Sequence, residues 1–106
     1  MQTTLAIAAL AALAQESRFA AFRLLVKAGA PGMSASSIAA ALRMPASSLS
    51  FHLKELTHAG LVSARQQGRF VIYAARVETL QGVVEFLAAS CASAGAQSMK
   101  ERLAAV

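Results

Sequence analysis

Pro45-Ala-Ser-Ser-Leu-Ser-Phe-His-Leu-Lys-Glu-Leu-Thr-His58 is the stretch that decides the fold. Pro45 suits the first turn of a helix, where its missing N–H costs nothing. The helix runs to about Ala59, and Gly60 ends it. At about 100° per residue, Leu49, Leu53 and Leu56 share one narrow arc and turn inward. Ser47, Ser50, Phe51, Lys54 and His58 fall on the opposite arc, which carries no acid. Solvated helix faces usually mix Glu with Lys and seldom show a Phe. A face of small hydroxyls, one cation and one aromatic suits a DNA groove instead. Small side chains let the backbone come close, hydroxyls bond base edges or phosphates, and an aromatic touches thymine methyls.

The flanking segments fit that reading. Before it, Ser34 is a good N-cap for a short helix through Leu42, with Ile38 and Leu42 at i, i+4. Arg43-Met44 makes a tight connection. After it, two short runs rich in β-formers, Val62 to Arg65 and Arg69 to Tyr73, enclose Gln66-Gln67-Gly68. Gly68 can take positive φ, so this reads as a hairpin. A short helix, a turn, a longer helix and a basic hairpin form the winged helix-turn-helix order. The helix-turn-helix then covers residues 34–59 and the wing residues 62–74. Arg65, Gln67 and Arg69 become wing residues able to lie against phosphates or in the minor groove. A solubilising loop is the plainer reading of the same three residues.

The rest of the chain is helical in pattern. Residues 3–14 form an Ala/Leu helix whose small side chains allow close approach by another helix, as in a dimer arm. Residues 16–28 carry Phe19, Phe22 and Val26 at i, i+3 and i+7, and Gly29 and Pro31-Gly32 stop them. Residues 77–92 carry Leu80, Val83, Val84, Leu87 and Cys91 as an apolar stripe. The tail after Gly95 is weakly determined. The expected class is mainly α with a small β-hairpin, in the order α-α-α-α-β-β-α. One domain is expected over residues 1–106.

Charge points to the same region. The chain carries 10 Lys and Arg against 5 acids, a formal net charge of +5. Residues 43–76 hold Arg43, Lys54, Arg65, Arg69 and Arg76 against Glu55, a net +4. A polyanion would bind there. Apolar residues make up 57% of the chain, which for so small a chain implies a further buried interface.

Other classes find less support. Leu5-Ala-Ile-Ala-Ala-Leu-Ala-Ala-Leu-Ala14 has the look of a signal-peptide core, but Met1-Gln-Thr-Thr4 has no Lys or Arg. The run is also too short to cross a bilayer, so no membrane partner is expected. The single Cys91 excludes an internal disulfide framework and suits a reducing compartment such as the cytoplasm. The sequence contains no Asp, GxSxG, P-loop, HExxH or CxxC, so no catalytic residue is assigned and an enzyme is not expected. His52 lies toward the core side and reads as a packing or supporting histidine. His52 and His58 are about 120° apart on the helix and cannot share a metal. A winged-helix module that binds protein rather than DNA is the alternative function.

Four segments resemble the arsenical-resistance repressor (ArsR/SmtB) family. They are Ala14-Gln-Glu-Ser-Arg18, Leu49-Ser-Phe-His-Leu-Lys-Glu-Leu56, Ala59-Gly-Leu-Val62, and Arg65-Gln-Gln-Gly-Arg69 leading to Tyr73. The resemblance implies a dimeric repressor that binds a double-stranded palindromic operator and is released by an inducer. Ser47, Ser48, Ser50, Phe51 and Lys54 would read the major groove. The first and last helices would form the dimer, with Leu5, Leu10, Leu13, Leu80, Val83, Val84 and Leu87 at the seam. Many members carry Cys-x-Cys where this chain has Ser34 and Ser36, and hydroxyls do not replace thiolates for a soft ion. The zinc-type ligand positions, near Val77, Thr79, Ser90 and Ser93, hold no His or acid. Some relatives end the last helix in Phe-Leu-x-x-x-Cys-Cys, where arsenite or antimonite binds. Here Phe86-Leu-Ala-Ala-Ser-Cys91 is followed by Ala92, so one thiol of the pair is present. Cys91 is then either buried packing or a thiol sensor, of a metalloid or of oxidation.

Overall fold

A computed structural model describes residues 1–92; the tail and its charges, Lys100, Glu101 and Arg102, lie outside the described residues. The elements run α1 (Thr3–Leu13), α2 (Glu16–Ala28), β1 (Met33–Ser34), α3 (Ala35–Leu42), α4 (Ala46–His58), β2 (Val62–Gln67), β3 (Phe70–Ala75) and α5 (Val77–Ala92). The expected helix order and the hairpin are both present. The three strands form one antiparallel sheet in the order β1-β3-β2.

Local chemistry sets the boundaries. Ser34 caps α3: its Oγ accepts the N–H of Ser37 at 3.2 Å. The same oxygen lies 3.1 Å from the Ser36 hydroxyl. Pro45 is the extended residue just before α4 rather than its first turn. Gly60 closes α4 at φ 76°, its N–H bonded to Thr57 and the next N–H, of Leu61, bonded to Leu56. Arg43 ends α3 at φ 53°, the one left-handed residue other than glycine among those described. Its N–H meets the carbonyls of Ala39 and Ala40, which makes the turn into α4 tight.

The core lies where α2, α3, α4 and the base of the wing meet. Phe22, Leu25, Ile38, Leu49, Leu53, Leu56, Leu61 and Val62 are buried there with Val83 of α5. Each such side chain stabilises the fold by roughly 1.5–3 kcal/mol on burial. Helix α1 joins this core in an unusual way. It buries Ala6, Ala9 and Ala12 and leaves Leu5, Ile7 and Leu10 exposed at 57%, 59% and 41%. Gly82 of α5 completes that contact, because a Cβ there would run into the side chain of Met1.

Several expectations need correction. Strand β1 is too short to read from sequence; it exists because Met33 and Ser34 pair with Tyr73 and Ile72. Gln66 and Gln67 belong to β2, and Gln67 pairs directly with Phe70. The hairpin loop is therefore Gly68-Arg69, with glycine first at φ 62°, the pattern of a type II′ turn. Val83 is 1% exposed inside its own chain, so it is core and not seam. Leu13 and Leu80 are half-buried against that core, whereas Val84 and Leu87 are exposed.

Candidate nucleic-acid interface

The fixed point of the site is the inward row of α4. Leu49, Leu53 and Leu56 are locked in the core, so the helix cannot roll. The opposite row must then face out. Ser47, Ser48, Ser50, Phe51, Lys54 and His58 are all exposed, as expected. Phe51 is 56% exposed, a large apolar surface left in water at the centre of that row.

The wing stands beside this row. A cleft of about 250 Å³ lies between them, lined by Ser50, Lys54, Thr57 and His58 of α4 and by Ala64 and Tyr73 of the wing. Helix and hairpin thus share one wall. Arg69 sits in the two-residue loop at the wing tip, with Gln67 just before the loop, and both are exposed. Phe70 follows at 60% exposure. Sequence reasoning passed over Phe70; its signal was an apolar residue between the turn and the inward Tyr73 side of the strand.

Arg65 is placed differently. It lies on β2 opposite Ile72, away from the tip. Its guanidinium donates to the carbonyl oxygens of Pro31 at 2.8 Å and Ala30 at 3.4 Å. This arginine braces the α2–β1 loop rather than extending from the wing tip. Arg76, just past the sheet, lies 3.6 Å from Glu78, and both side chains are mostly exposed. Among the described residues, Lys54 of α4 and Arg69 of the wing tip are exposed cations that form no ion pair.

His52 lies partly toward the core side, where its place on the wheel put it. It is half-buried, with Nδ1 3.4 Å from a guanidinium nitrogen of Arg18 and its ring edge-on to Phe51. Cys91 is a free, half-buried thiol on α5. Among the described residues no three His, Cys, Asp or Glu side chains gather as a metal site would need. No single described helix is long and apolar enough to cross a membrane.

With this geometry in hand, known proteins give a consistent comparison. A helix-turn-helix domain family matches residues 13–64, from the end of α1 into the wing. The ArsR-like transcriptional regulator of Rhodococcus sp. RHA1 is 30% identical, over 96% of this chain and 89% of that one, with a TM-score of 0.71. The chain belongs to the ArsR family. This ArsR protein is also similar to HlyU of Vibrio cholerae N16961, at 26% identity, TM-score 0.65, and coverage of 86% of this chain and 99% of that one. Its fold is shared with the homodimeric winged helix-turn-helix DNA-binding domain of a possible ArsR-family regulator from Mycobacterium bovis. That match has 24% identity, TM-score 0.67, and coverage of 82% of this chain and 79% of that one. No curated protein sequence matches the chain. Membership in this family makes the protein a DNA-binding transcriptional regulator and not an enzyme.

Proposed function

We propose that this ArsR protein is a homodimeric repressor that holds a palindromic operator and releases it when an inducer binds. The observation that carries the reading is the outward row of α4 beside the wing tip. Ser47, Ser48, Ser50 and Phe51 read base edges in the major groove, Lys54 meets a phosphate, and Gln67 and Arg69 work the wing. Each phosphate contact releases counterions, so affinity falls with salt at a slope of about −0.9 per contact. Lys54→Ala and Arg69→Ala should weaken binding to every duplex and each lower that slope by about one. A salt titration of duplex binding by fluorescence anisotropy checks this. Unchanged affinity and slope in both variants reject the assignment.

The exposed leucines support the dimer. Leu5, Ile7 and Leu10 of α1 and Val84 and Leu87 of α5 are large apolar side chains left exposed in the single chain. A second copy of the chain covers them in this reading, and the regulator works in the cytoplasm, where it meets DNA. Cys91 is the proposed inducer site, for arsenite or antimonite or for an oxidant. A soft trivalent metalloid needs two or three thiolates, so a metalloid would bridge the Cys91 residues of two copies. Arsenite or peroxide titrated into the protein–DNA complex should release wild type and leave Cys91→Ser bound. Equal release from both removes Cys91 from the mechanism.

A further inference from the structure

Arg18 stands at the corner where α1 meets α2, whose axes turn through 99°. Its side chain bonds in two directions. Nε donates to the carbonyl oxygen of Ala12 at 2.7 Å. That carbonyl belongs to the last turn of α1, where carbonyls lack a partner within the helix. A cation there also meets the negative end of the helix. Nη1 reaches Nδ1 of His52 on α4 at 3.4 Å. A guanidinium has no acceptor, so His52 must supply the lone pair and carry its ring proton on Nε2. The His52 ring in turn meets Phe51 edge-on, with centroids 5.8 Å apart. Phe51 lies in the exposed row. Glu55 lines the same cleft as Arg18, yet Arg18 forms no ion pair among the described residues. One half-buried side chain therefore runs from the arm that carries the exposed leucines to the helix that faces DNA.

We infer that Arg18 is a positioning residue for DNA binding: it clamps the end of α1 to His52 and so fixes the pitch of α4 against the dimer arm. The inference rests on the reading of α4 as the DNA-reading helix. Its leverage comes from symmetry. In a dimer built on α1, a tilt of α4 moves both reading helices and changes the distance between them twice over.

The probe is a duplex selected by wild-type protein from a random-sequence pool, with an unselected duplex as control. Arg18→Ala and His52→Leu should each weaken the selected duplex about tenfold, and the double variant should bind no worse than the poorer single. His52→Asn, whose side-chain oxygen accepts where Nδ1 did, should stay within about twofold of wild type. Thermal unfolding by circular dichroism establishes which variants are folded. If Arg18→Ala unfolds, the two His52 variants decide. His52→Leu binding like wild type overturns the inference, as does His52→Asn binding as poorly as His52→Leu. If Lys54→Ala weakens binding while the His52 variants do not, the clamp falls and the DNA reading stands. A wild-type protein that selects no duplex overturns both.

Discussion

Two glycines separate backbone need from packing need. Gly32 sits at φ 69°, and a Cβ there would run into the carbonyl oxygen of Tyr73 and the side chain of Ile72. The residue lies where the chain leaves α2 and joins the sheet edge, so nothing nearby can give way without moving β3. Gly68 sits at φ 62° in the wing loop with open space around its missing side chain. Only the left-handed conformation opposes a side chain there. Gly68→Ala should therefore cost about 1 kcal/mol, and Gly32→Ala should cost at least about 2–4 kcal/mol. Thermal unfolding of the two variants measures the gap. Equal losses would mean that the β1–β3 contact does not constrain the corner. Arg43, also at positive φ, has no such freedom by residue type. It keeps the turn into α4 short by placing its own N–H on two carbonyls of α3.

At the scale of elements, the wing tests how far residue type alone defines a role. Arg65 and Arg69 look equivalent in sequence, four residues apart in a basic hairpin. The structure separates them: Arg69 is in the loop, and Arg65 is bonded to Pro31 and Ala30. In the salt titration described above, Arg65→Ala should change the slope by much less than Arg69→Ala, and its main effect should be a stability loss of under about 1 kcal/mol. The helices were legible because their signals are local. Ser34 caps, Gly60 stops, and the leucines of α4 repeat on one face. The strands were less so. In β2 the residues Ser63, Arg65, Gln66 and Gln67 are polar because little covers them, which hides the strand from any hydrophobic pattern. Strand β1 owes its existence to pairing with β3, forty residues away in the chain. The α4 row was readable for the same local reason as its helix. The Arg18–His52 contact spans 34 residues, and no spacing rule could place it.

For the whole molecule, the deciding feature is the inverted packing of α1. A helix that served only its own chain would bury Leu5, Ile7 and Leu10 and leave the alanines in water. This one does the reverse, and Val84 and Leu87 of α5 add to the exposed apolar surface. Small alanines bring α1 close to its own core and leave the leucines exposed, where the proposed dimer would place a second copy. Leu5→Glu and Val84→Glu should then leave the fold of the single chain within about 0.5 kcal/mol, since both sites are exposed in it. The same changes should convert the dimer to monomer in sedimentation equilibrium. Duplex affinity should fall with it by about a hundredfold or more, because the second half-site is no longer held at high effective concentration. Half-sites should lie about 10 bp apart, or a multiple of that, so inserting about 5 bp between them should weaken wild type and leave the monomeric variants unaffected. The insertion separates two accounts of the exposed leucines. If they serve a different partner, the glutamate variants will bind duplex as wild type does, and spacing will matter equally to both.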